Sequence, residues 1–209
     1  MLAEPSMTDQ DITALVSSRI CHDLISPIGA ISNGVELLHE LPGGASPELA
    51  LIAESAESAA QKLRCFRIAF GASPAGATVP RSDIEQALAA LFVGRASVEL
   101  VAGGPPELPR ALAKALLLTL LCQERCLPLG GESRVLIEPD GFLIETAAAK
   151  IRDLAPLWSL IERPGTRVEL APAEVQFALL AEMLSVSGAR LSRNVSDGRI
   201  TLALRGLPT

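Results

Sequence analysis

Apolar residues recur at Ile12, Leu15, Val16, Ile20, Leu24, Ile31, Val35 and Leu38, with spacings of three, four and seven. Those spacings lie along one face of an α-helix and predict a single long helix from about Thr8 to Glu40. The run 42–47 (PGGASP) breaks it. Ser46 suits an N-cap, and Pro47 suits the first helical position, whose N–H needs no partner. A second stripe follows at Leu49, Ile52, Ala53, Ala56, Ala60, Leu63, Phe66 and Phe70, and Gly71 is placed to end that helix. Two long amphipathic helices with a short connection form an antiparallel hairpin. A lone hairpin has one contact line and cannot enclose its own stripe. Two copies must pair into a four-helix bundle, so a homodimer is expected.

Residues 71–80 (GASPAGATVP) read as a linker. Beyond it the periodicity changes. Ser82 and Glu85 have the spacing of a capping box before Ile84, Leu88 and Leu91, which predicts a helix. Residues 97–101 read as a short strand and 107–127 as a mostly buried helix. The segments 134–137 and 142–145 flank Pro139-Asp140-Gly141 as a hairpin, and 191–195 and 199–204 flank Ser196-Asp197-Gly198 as another. Residues 167–170 read as a further strand, and 173–186 as a helix ended near Gly188. The fold class is therefore α+β: a helical hairpin in residues 1–72, then an α/β sandwich with a mixed or largely antiparallel sheet in residues 80–209.

Composition narrows the function. Apolar residues are 49% of the chain and aromatics 3%, so alanine, leucine and valine fill the interior, as tightly packed helices require. A net charge of −6 without a long basic run argues against nucleic acid as a partner. Cys21, Cys65, Cys122 and Cys126 form no CxxC pair and are accompanied by only two histidines, so no metal site is expected. They read as small buried residues in a reducing compartment. The most apolar run, 111–122, is interrupted by Lys114 and is too short to span a bilayer, and no leader pattern opens the chain. A soluble, cytoplasmic protein with no membrane partner is expected.

The two histidines differ in context. His39, near the end of the first helix, reads as structural, a complement to the helix dipole. His22 lies mid-helix. At 100° per residue, Ser18, Ser26, Gly29 and Asn33 fall within about 40° of it, while Ile20, Leu24, Ile31, Val35 and Leu38 lie on the far side. His22 should face outward among small or polar neighbours. An imidazole with an ordinary pKa of about 6.5 is largely neutral at pH 7, and its unprotonated nitrogen is a nucleophile toward phosphorus. Asp23 is placed to orient the ring or accept its proton. Arg19, one turn earlier, is a candidate to meet phosphate or a partner carboxylate.

His22-Asp23-Leu24-Ile25-Ser26-Pro27 fits the pattern His, acidic, Leu, any, any, Pro. It resembles the H-box of histidine-kinase dimerisation domains, whose histidine accepts the phosphoryl group. Pro27 within a helix removes one backbone hydrogen bond. The second half resembles, in element order, the ATP-binding domain of those kinases, but its nucleotide boxes are degenerate. Gln123 stands where that family has its metal-binding asparagine. The strand ending at Glu145 runs into Thr146-Ala147-Ala148-Ala149-Lys150 instead of an Asp-x-Gly-x-Gly turn. Without those glycines the backbone cannot approach phosphate closely.

A kinase-like hairpin joined to a degenerate ATPase domain resembles the ChpT-type histidine phosphotransferases of alphaproteobacteria, most specifically over Ser18–Leu38. The resemblance implies a phosphorelay. His22 receives phosphoryl from a receiver aspartate on a hybrid histidine kinase of the CckA type. It then serves response-regulator receivers of the CtrA and CpdR type. It implies no cofactor bound by this chain, with Mg²⁺ supplied by the partner receiver. Docking is expected on the outer face of the first helix, around Arg19, His22, Ile25, Ser26 and Gly29. The competing readings are an active kinase with divergent ATP boxes and a non-catalytic receiver-binding scaffold.

Overall fold

The computed structural model describes residues 9–40, 46–92, 96–163 and 165–207. The side chains of His39 and Ser46, and most of the 42–47 break, fall outside what is described. Helices α1 (Asp9–Glu40) and α2 (Ser46–Ala69) pack along their lengths. They run antiparallel: Gly34 of α1 lies against Ile52, whereas Asp23, eleven residues earlier, meets Lys62. A Cβ on Gly34 would sit 2.6 Å from Ile52 Cγ1, so the smallest residue sets the closest approach of the two helices. Part of the apolar stripe stays exposed within one chain, at Val35, Leu49 and Leu63, as do Leu37 and Leu51 outside it. Cys21 is exposed as well, against the expectation of burial, whereas Cys65, Cys122 and Cys126 are buried.

The expected linker proves to be ordered structure. Within it β1 (Thr78–Pro80) pairs antiparallel with β3 (Glu107–Pro109), and these last three residues had been expected to open a helix. Proline explains both departures. The residue before each proline is pushed toward extended backbone, and Pro80 (φ −55, ψ 137) and Pro109 (φ −50, ψ 135) are themselves extended. Helices α3 (Arg81–Leu91) and α4 (Arg110–Glu124) start directly after them. The Arg81 amide donates to Pro106 O and the Arg110 amide to Ala77 O, both at 2.8 Å, so the ribbon satisfies two helix-start donors. The expected capping box is absent because α3 begins two residues early, with Pro80 rather than Ser82 at its N-cap. Glu85 instead accepts from Arg81 Nε at 2.8 Å.

The main sheet has five strands in the order β2-β4-β5-β7-β6: β2 (Ala96–Leu100), β4 (Gly131–Glu138), β5 (Gly141–Ala147), β6 (Arg190–Ser196) and β7 (Arg199–Arg205). Strand β2 is parallel to β4 and the other pairings are antiparallel, as a mixed sheet requires. Both hairpins form where expected. Asp197 and Gly198 take positive φ (44 and 74) in the tight turn between β6 and β7. Helix α5 (Ala155–Glu162) was not foreseen; Pro156 lies in its first turn, and its first amide donates to Asp153 Oδ1 at 2.9 Å. Helix α6 (Val175–Ser187) follows a 3₁₀ turn at Pro172–Glu174 and ends at Gly188 in the left-handed region. Residues 167–170, expected as a strand, form no strand among the described residues. Val168 and Leu170 instead pack against the hydrophobic core.

Cys65, Ile68 and Ala69 of α2 belong to the same buried cluster as Ile84 and Leu88 of α3, Leu108, and Leu112 and Leu116 of α4. Arg110 also donates to the carbonyls of Arg67 and Ala72, and Lys114 Nζ to Gly71 O at 2.9 Å. Two cations thus cover the C-terminal carbonyls of α2, where the helix dipole is negative. No helix among the described residues is long and apolar enough to cross a membrane.

Candidate functional site

His22 projects from the middle of α1 with 85% of its side chain exposed. The wheel argument holds for its neighbours: Ser18, Ser26 and Asn33 are exposed with it, and Ile25 and Ile28 lie open beside it. A Cβ on Gly29 would meet nothing within 4 Å among the described residues, so no part of this chain requires a glycine there.

Asp23 links the site to the body. Its Oδ1 lies 3.1 Å from His22 Nδ1. Its Oδ2 accepts from Arg19 Nε at 2.7 Å. The other arm of that guanidinium, Nη1, donates to the carbonyl of Ala173 at 3.0 Å, in the turn before α6. Arg19 thus engages Nε and Nη1 within the chain. Its side chain is only 13% exposed, and its donors are committed within the chain. Glu124 of α4 lies near this pair. Burial pushes its carboxyl above the ordinary value, and the positive charge of Arg19 acts against that shift.

Pro27 has a consequence one turn back. In an α-helix residue 27 would donate to the carbonyl of residue 23, but proline carries no N–H. Lys62 of α2 supplies a donor instead, its Nζ 3.4 Å from Asp23 O. Sequence reasoning missed Lys62 and Ala173. The freed carbonyl was a usable signal for the first; nothing local pointed to the second.

Gln123 is 2% exposed and turned into the sheet. Its Nε2 donates to Ser133 Oγ at 3.0 Å and Thr146 Oγ1 at 2.7 Å, and the two hydroxyls meet at 2.8 Å. Its Oε1 is buried without a partner among the described residues. The amide nitrogen is thus engaged, and the amide oxygen is buried. After β5, the Ala148 amide donates to Gly198 O at 2.9 Å, which closes the backbone against the β6–β7 turn. Nearby, Trp158 is buried edge-on to Phe177, donates to Cys126 Sγ at 3.2 Å and carries Arg193 over its ring.

The helical hairpin displays an imidazole beside an aspartate and is backed by a small α/β layer. Residues 81–199 match the family described as the histidine phosphotransferase C-terminal domain, and the chain belongs to that family. Protein phosphotransferase ChpT of Brucella abortus (strain 2308) is 42% identical over 130 residues, a stretch covering 61% of this chain and 61% of that protein. The matched stretch thus spans under two thirds of that relative. A solved bacterial phosphotransferase structure superposes with a TM-score of 0.78 at 30% identity, covering 96% of this chain and 98% of that one. The histidine kinase AdeS of Acinetobacter baumannii reaches a TM-score of 0.43 at 9% identity over 89% of this chain and 97% of its own, too distant to carry an argument.

Proposed function

We propose that the chain is a phosphorelay intermediate. His22 takes a phosphoryl group from a receiver aspartate on a hybrid histidine kinase of the CckA type. It then gives the group to receiver aspartates of CtrA-type and CpdR-type response regulators. The observation that carries this reading is the exposed His22 ring with its Nδ1 on Asp23. An ionised carboxylate only accepts, so it favours the tautomer protonated at Nδ1 and leaves a lone pair on Nε2. That lone pair attacks phosphorus, the P–N bond forms, and the P–O bond to the receiver aspartate breaks, returning its electrons to that carboxylate. The ring gains positive charge and Asp23 balances it. Onward transfer is the reverse exchange with a second receiver.

The chain's own contribution is presentation. Ile25, Ser26, Ile28 and Gly29 surround the nucleophile with an open surface onto which a receiver can close. The Mg²⁺ that screens the phosphoryl oxygens belongs to the receiver in this reading, and the chain works in the cytoplasm beside its partners. A groove of about 720 Å³ between α1 (Leu15, Ser18) and Val168, Leu170 and Pro172 supports a second contact for the partner. The exposed apolar residues of the hairpin support pairing of two chains into a four-helix bundle.

The test is incubation with a receiver phosphorylated on aspartate. The chain should gain an acid-labile, base-stable label, and His22→Ala should gain none while keeping its fold. Label on the Ala variant would refute the assignment.

A further inference from the structure

Exposure makes His22 reachable but also free to rotate. A ring with 85% exposure and one hydrogen bond is oriented only as well as its acceptor is fixed. Asp23 is fixed from the opposite side by Arg19, and Arg19 is fixed in turn by a carbonyl 154 residues away in sequence. That carbonyl is itself held. Gln176 of α6, 1% exposed, donates to Ala173 O at 2.9 Å and reaches Leu121 O of α4 at 3.4 Å. A continuous path therefore runs from the buried helical layer through Gln176, the Ala173 carbonyl, Arg19 and Asp23 to the imidazole.

An ordinary exposed pair one helical turn apart contributes little and would leave the far arm of the guanidinium in water. Here that arm crosses to the second half of the chain, and the side chain is largely shielded. We propose that Arg19 is a positioning residue for phosphoryl transfer, through which the α4–α6 layer holds Asp23 and thereby the tautomer and direction of the His22 ring. This rests on the reading of His22 as phosphoacceptor. It gives the second half of the chain a part in the chemistry that binds no nucleotide and touches no partner.

The experiment uses the full chain labelled with ¹⁵N-histidine. The chain has only two histidines, so the His22 signals are those missing from His22→Ala. Long-range ¹H–¹⁵N correlations report which ring nitrogen carries the proton. In the unaltered chain His22 should hold it on Nδ1. Arg19→Ala should shift it toward the Nε2-protonated form that an unconstrained ring prefers. It should also slow acceptance from a saturating phosphorylated receiver about tenfold or more, with the half-saturating receiver concentration unchanged. Arg19→Lys, which keeps the charge but not the two-armed reach, should fall between. Asp23→Asn should reproduce the tautomer change with the Arg19–Ala173 link intact. If Arg19→Ala does not fold, Arg19→Lys carries the test. An unchanged tautomer in the folded Arg19 variant would overturn the proposal, as would a defect confined to the half-saturating concentration, which would make Arg19 a docking residue. The tautomer measurement needs no transfer, so it judges Arg19 even if His22→Ala shows that the phosphoacceptor lies elsewhere.

Discussion

Replacing Gln123 by asparagine would restore the residue type expected at a kinase metal site, and the structure argues that this is the wrong direction. The Gln123 amide bridges Ser133 and Thr146 at 3.0 and 2.7 Å. One methylene fewer withdraws the amide by about 1.5 Å, beyond hydrogen-bond reach of both hydroxyls. Two neutral buried bonds are worth about 1 kcal/mol each, and the vacated methylene adds about 1 kcal/mol, for a loss of about 3 kcal/mol. Gln123→Met loses the same two bonds but also removes Oε1, which is buried without a partner among the described residues. Relieving that desolvation returns about 1–3 kcal/mol, volume is nearly conserved, and Ser133 and Thr146 keep each other at 2.8 Å. The methionine variant should therefore lie within about 1 kcal/mol of the parent and well above the asparagine variant. Urea unfolding at one fixed protein concentration, read at constant m, measures both. Calorimetric titration with ATP and Mg²⁺ should show no binding gained by Gln123→Asn. If asparagine proves as stable as glutamine, or methionine is the worst of the three, the hydrogen-bond account of this core is wrong.

Two other perturbations probe the hairpin. Pro27→Ala restores the N–H that α1 lacks at Asp23 O and should stabilise the chain by about 1–3 kcal/mol. In that background Lys62→Met should cost less than in the parent, a coupling readable by thermal melts of the four proteins in a double-mutant cycle. Leu49→Glu places a charge on an apolar residue that is 55% exposed within one chain, and light scattering should show a shift from a dimer to the 21.9 kDa single chain. A dimer that tolerates the substitution would place the interface on another face.

Much of this architecture was legible because its signals are local. Leu15, Ile20, Leu24 and Ile31 declare a helix face by spacing alone, and the outward direction of His22 follows from the same geometry. The β6–β7 turn is written in Asp197-Gly198, and the end of α6 in Gly188. What escaped depends on distant partners. The pairing of 78–80 with 107–109 joins residues 27 to 31 positions apart, so the stretch 71–80 shows only its loop composition. The alternation at Val168 and Leu170 reflects burial against the core, which a period of two cannot distinguish from a sheet face. Helix α5 is eight residues long, below the length at which periodicity is informative, and its first amide is held by Asp153, one residue ahead of the N-cap position. At the site, His22 and Asp23 were readable from their neighbours. The second bond of Arg19 was not, because its acceptor is a main-chain carbonyl, and carbonyls look alike in every sequence.

The end of α2 serves two masters. Cys65, Ile68 and Ala69 finish the hairpin and at the same time fill space among Ile84, Leu88 and Leu116. Cutting the chain after residue 72 would uncover that surface and strand Arg110 and Lys114 without the carbonyls they cover. The hairpin is thus no portable cassette. A graft into another signalling chain would have to bring the ribbon and the first two helices of the body with it, and changes in the body can reach the partner-facing helix without altering a residue on it.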